Sequence, residues 1–142
     1  MKLIDVLKEA EYTDIVLSLL SEPYKILSVT KIIFISFCVY HESNFSSYKN
    51  RQKDFVDVFF KNISFNLAIY YKDIEKIIHI LCILEKTNKI KIIEDTILII
   101  EDIKHDSENI FIKKCCNKLP NPIIEIDKLD ALAMIEEVIR YV

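Results

Sequence analysis

The sequence has no glycine in 142 residues, and that absence excludes more than any motif present. Glycine lets a backbone take positive φ or approach a ligand closely. Phosphate-cradling loops and dinucleotide fingerprints depend on it, so a Walker-type or Rossmann-type nucleotide site is not expected. The nucleophile elbow of hydrolases is excluded for the same reason. If the protein works with ATP, the ATP sits on a partner. Long hydrophobic runs are also missing. The longest, "KIIFISFCVY" at residues 31–40, is too short to cross a bilayer and follows Lys25. "MKLIDVLKEAEYTD" carries acids inside its apolar periodicity, unlike a secretory signal. No membrane association is expected, and the protein reads as cytoplasmic.

Charge of one sign is lacking too. The net charge is -3, with Arg only at 51 and 140, so nothing pulls the whole chain toward nucleic acid or anionic membrane. Cys38, Cys82, Cys115 and Cys116 do not resemble a secreted disulfide framework. Three of them lie in apolar stretches, where a small buried thiol is common.

What is present is hydrophobicity, at 51% of residues, enough for one domain with a substantial core. Abundant Ile, Lys and Asn suggest an A+T-rich coding sequence, which weakens arguments from Lys or Ile counts. Residues 3–20 have helical spacing, with Thr13 able to start a second piece. "SEP" at 21–23 predicts a helix restart capped by Ser21 and running to about Tyr40. The polar "HESNFSSYKNRQK" at 41–53 predicts a loop. A short helix at 54–61 should turn Phe55, Val56, Phe59 and Phe60 inward, and 62–71 is ambiguous between helix and extended chain. Asp73 should cap a helix from Ile74 to about Lys86, closed by Asn88 in place of glycine. "KIKII", the turn Glu94–Asp95 and "TILII" predict a hairpin. Ser107 should cap a helix through Asn117, "IIEI" at 123–126 should be extended, and Asp127 should cap a last helix. That helix has an apolar stripe of Leu129, Leu132, Ile135, Val138 and Ile139. The fold class is therefore mainly α with one β-hairpin, a winged-helix-like single domain.

The helix at 74–86 decides between functions. Its apolar residues Ile74, Ile77, Ile78, Ile80, Leu81, Cys82 and Leu84 span an arc of about 200°, against the roughly 100° that suffices for a surface helix. The remaining sector is narrow and mixed in sign, and it has no Arg to read base edges. A buried core helix is the favoured reading, followed by one that also packs on another protein, then one that reads DNA. The i, i+3 pairs Cys38/His41 and His79/Cys82 could form a tetrahedral zinc site if their helices were neighbours. Their apolar surroundings instead favour buried thiols and partly exposed imidazoles. No Ser, Cys or Asp stands beside a histidine in a nucleophile setting, so no catalytic residue is assigned and no cofactor is expected. Two modest basic patches remain as partner or DNA contacts: Lys49, Arg51 and Lys53 in the loop, and Lys86, Lys89 and Lys91 before the hairpin.

The succession "LLSEPYKILSVTKIIFISFCVY", "IEKIIHILCILEKTNKIKIIEDTILI" and "ALAMIEEVIRYV" resembles the middle component of bacterial ABC three-component systems, which include the small accessory subunit of Lamassu-type phage defence. The resemblance covers most of the chain as a helix–helix–wing pattern and brings no catalytic motif. It implies a small non-catalytic winged-helix-type subunit that binds an SMC-like coiled-coil ATPase and an effector subunit, with DNA reached through the complex. The other reading of the residues is a winged-helix DNA-binding transcriptional regulator.

Overall fold

The computed structural model describes residues 2–41, 54–116 and 121–141. Among them are seven helices and one two-stranded antiparallel sheet, so the protein is mainly α with a β-hairpin. Helix α1 runs unbroken over Leu3–Leu20. Thr13 does not start a second piece. Its hydroxyl donates to the Glu9 carbonyl at 2.8 Å, which holds it inside the helix. The far half of α1 turns Tyr12, Ile15, Val16 and Leu19 into the core.

The restart expected at Ser21 does not occur. Residues 21–27 are a turn followed by irregular chain, and α2 spans Val29–Tyr40 behind Ser28, whose side chain accepts from the Lys31 amide. The reason is tertiary. Ile26 is buried and its N–H donates to the Leu19 carbonyl. The Leu27 carbonyl accepts from Ile97, and the Val29 N–H donates to the Asp95 carbonyl. Backbone groups spent on these long-range bonds are not available for an earlier helical turn.

Of the expected loop at 41–53, His41 is the C-cap of α2 and the rest lies outside the described residues. Helix α3 is continuous over Asp54–Tyr70, so the ambiguous 62–71 stretch is helical up to Tyr70 and Tyr71 is in the following turn. Phe60 and Ile63 face the core, while the side chains of Phe55, Val56 and Phe59 lie outside the described set. Helix α4 covers Asp73–Lys86. Only Ile77, Ile80, Leu81 and Leu84 of its apolar set are buried, at i, i+3, i+4, i+7 spacing. Ile78, Cys82 and Ile83 are exposed, so the wide apolar arc is not all core. Asn88 closes the helix at φ 60, as expected.

Strands β1, Ile90–Ile93, and β2, Thr96–Ile99, pair antiparallel from Ile90↔Ile99 to Ile93↔Thr96. Glu94 carries the positive φ of the turn, at 55°. Ser28 bridges to Thr96, so the chain before α2 lies along β2.

The C-terminal third departs most from expectation. Asn109, not Ser107, caps α5 (Ile110–Cys116), accepting from the Ile112 amide at 3.1 Å. "IIEI" is not extended. It belongs to α6, Pro122–Asp127, with Asn121 as N-cap and Pro122 in the first turn. The last helix, α7, spans Ala131–Tyr141, and Asp130, not Asp127, accepts from its Ala133 amide. Its buried positions are Met134 and Val138, while Leu132 and Ile139 of the expected stripe are exposed.

Helices α1, α2 and α4 pack on one another, and α3 and α7 pack together beside α2. One core cluster joins all of them to Ile90 and Ile97 of the hairpin. No helix among the described residues is long and apolar enough to cross a membrane.

Candidate functional site

The hairpin is the clearest exposed feature built from strong local signals. β-branched runs favour strands, and the two-residue turn sets the register. Since side chains alternate across a strand, Ile90, Ile92, Ile97 and Ile99 share the inward face. Ile90 and Ile97 are fully buried. The outward face carries Lys91, Ile93, Thr96 and Leu98, and Ile93, Leu98 and the following Ile100 are all exposed. The wing thus shows water an apolar surface with one lysine.

The predicted basic contacts fare unevenly. Lys86 and Lys91 are exposed, on the last turn of α4 and on the outward hairpin face. Lys89 lies 3.6 Å from Glu101 and is partly neutralised by it. Glu75 and Glu85 are exposed on α4 with Lys86, so the helix offers no basic stripe. Lys49, Arg51 and Lys53 lie outside the described residues. The four zinc candidates do not come together. Cys38 is buried in the core, Cys82 is exposed, His79 pairs with Glu9 and His41 with Asp73. No group of three or more metal-ligating side chains forms among the described residues.

Sequence reasoning missed the buried polar centre around Asp73. Asp73 is the first residue of α4 and makes no cap. Its carboxylate points into the protein and is 3% exposed. One oxygen accepts from Lys8 Nζ at 3.0 Å. The other accepts from the Tyr12 hydroxyl at 2.8 Å and from His41 Nε2 at 3.0 Å. Tyr12 stacks on Tyr40 with centroids 4.4 Å apart, and His41 stacks on Tyr70 at 4.5 Å. Lys8 Nζ stands 5.5 and 5.3 Å from the Tyr40 and Tyr70 ring centroids. The centre ties α1, α2, α3 and α4 together. Burial pushes the Asp73 carboxyl up, but hydrogen bonds from His41, Tyr12 and Lys8 and the Lys8 charge outweigh it, holding the group down to about 2. Burial, then the hydrogen bond to Asp73 and its charge, push the Tyr12 phenol far above its ordinary range. Tyr40 is raised by burial, then by the charges of Glu11 and Asp73. Neither phenol is poised to exchange a proton near neutrality, and the carboxylate is fully engaged. These bonds make the centre a clamp between helices distant in sequence.

Asp14, His105 and Ser107 also meet, and their identities invite comparison with a hydrolase triad. The bonding is wrong for one. His105 Nε2 and the Ser107 hydroxyl both bond the carboxylate, at 2.6 and 2.8 Å. The Ser107 oxygen also accepts from the Asn109 amide. A nucleophile needs its hydroxyl on the imidazole, and here it is on the acid. The cluster pins residues 105–109 onto α1.

Asp95 works similarly at the hairpin turn. Oδ1 accepts from the Thr30 amide at 2.8 Å and from its hydroxyl at 2.7 Å, and Oδ2 accepts from the Ser28 hydroxyl. Burial raises its pKa, but these bonds and the nearby Lys31 charge hold the carboxyl below the usual range. The turn is thereby locked to the start of α2.

Comparison with protein-family models, curated proteins and solved structures finds no match to this chain.

Proposed function

We propose that this protein is a non-catalytic accessory subunit that docks on a partner protein through the outward face of its hairpin. The single observation carrying this reading is the exposure of Ile93, Leu98 and Ile100 on a rigid wing whose inner face is locked into the core. Exposed apolar residues grouped on one element mark an interaction surface. Their burial on a partner contributes about 25 cal/mol per Å² before the costs of association. The element order also supports it. A helix, an edge segment at 27–29 lying along β2, further helices and a hairpin follow the winged-helix plan. The partner is an SMC-like coiled-coil ABC ATPase, the second partner is an effector subunit, and the complex serves bacterial anti-phage defence in the cytoplasm. Reactions and nucleotide belong to those partners.

The mixed charge on α4 and the Lys89–Glu101 pair weigh against the DNA-regulator reading. Affinity capture of the full chain from its native host tests the proposal. A coiled-coil ATPase in stoichiometric yield is expected, lost with Ile93→Glu/Leu98→Glu. A chain that captures no ATPase, yet binds duplex DNA at low salt and loses that binding in Lys86→Glu/Lys89→Glu/Lys91→Glu, would replace it with the regulator.

A further inference from the structure

We propose that the first turns of α1 are a self-association surface, on which a second copy of this chain lays the same turns antiparallel. Over Leu3–Ala10 the helix is inverted. Its charged residues face the protein: Asp5 lies 3.7 Å from Lys76, Lys8 3.0 Å from Asp73, and Glu9 2.9 Å from His79. Its apolar residues face outward: Leu3 is 73% exposed, Leu7 is 55% exposed, and Val6 and Ala10 are exposed beside them. Positions 3, 6, 7 and 10 are the i, i+3, i+4, i+7 stripe with which a helix meets another helix. Farther along, the segment pinned by Asp14 lies against α1, where Leu7 and Ala10 share a groove with Glu108 and Ile110. Ile110, 68% exposed, extends the apolar surface across that groove. The strap therefore leaves only the first turns of the stripe bare.

The surface is complementary to itself under a two-fold axis, as an isologous contact requires. With the axis between Val6 and Leu7, the large Leu3 of each copy meets the small Ala10 of the other. The two middle side chains then pack on their counterparts. The exposed ends carry opposite charge, Lys2 before the stripe and Glu11 after it. An antiparallel pair brings unlike ends together and opposes the helix dipoles, whereas a parallel pair superimposes like ends. Four side chains per copy, against the roughly 20–30 residues a side of a standard interface, make the dimer weak and concentration-dependent. This inference does not depend on the partner proposed above, because it uses another face.

Sedimentation equilibrium of the purified full chain, from low micromolar to near millimolar, tests it. The average mass should climb from monomer toward dimer. Leu3→Glu/Leu7→Glu should stay at monomer mass with unchanged circular dichroism and melting temperature, and Ala10→Arg repeats the test on the same stripe. Lys2→Glu should weaken association several-fold, and Lys2→Glu/Glu11→Lys should restore it. A monomer at every concentration would overturn the proposal, as would a dimer indifferent to Leu3→Glu/Leu7→Glu. Failure of the charge swap to restore association would overturn the antiparallel arrangement.

Discussion

Asp73 and Asp95 are both held by hydrogen bonds from elements far away in sequence, and both carboxyls are pushed below their ordinary range. The resemblance stops at the partners. Asp73 is buried and answers an ammonium and an imidazole as well as a phenol, while Asp95 is partly exposed and answers two hydroxyls and an amide. The first is an ionic clamp within the helical bundle. The second is a neutral-donor latch between the hairpin turn and α2. The interior of the bundle is thus held by charge that cannot be removed singly, whereas the wing is held by a capping device of ordinary strength.

Removing the Asp73 charge should have the largest effect. Asp73→Ala leaves the Lys8 ammonium without its carboxylate in a partly buried site, and breaking such a pair costs up to about 3–5 kcal/mol. Thermal or urea unfolding should show this loss, and Lys8→Met added to Asp73→Ala should recover part of it. Full additivity of the two changes would deny the clamp. The next effect is on pH. The folded pKa of Asp73, about 2, lies below the unfolded value. Its contribution is therefore present above about pH 4 and lost as pH falls toward 2, amounting to about 2–3 kcal/mol. The stability gap between wild type and Asp73→Asn should narrow across that window and stay flat above it. A smaller effect belongs to the latch. Asp95→Ala should cost about 1 kcal/mol, the usual value for a lost helix cap, and should loosen the hairpin amides in hydrogen exchange before those of α4. An Asp95→Ala loss equal to that of Asp73→Ala would erase the distinction between the two carboxylates.

The parts of the fold governed by neighbours in sequence were legible. The Ile90–Ile93 and Thr96–Ile99 strands, the turn at Glu94–Asp95, the end of α4 and the left-handed Asn88 all follow local rules. "IIEI" is helical and not extended because Asn121 followed by Pro122 starts a helix, a stronger local sign than its β-branched residues. The start of α2 was not legible, because Ser28 wins over Ser21 through bonds to residues near position 95. Asp73 looked like a cap because caps are short-range, whereas its partners lie at positions 8, 12 and 41. One sign was available. Lys8 and Tyr12 stand at i, i+4 on the face that α1 continues with Ile15, Val16 and Leu19, so polar groups on a core-facing stripe called for a buried counter-charge. The exposure of Ile93 and Leu98 follows from the strand period and the register alone.

The contact to be tested lies between the wing's outward face and a protein. A photoreactive amino acid at position 98, activated in the native host, reads that contact directly. A covalent adduct with a coiled-coil ATPase is expected, and none from a probe placed at the buried position 97. Adducts to DNA alone, or no adduct from position 98, would contradict it.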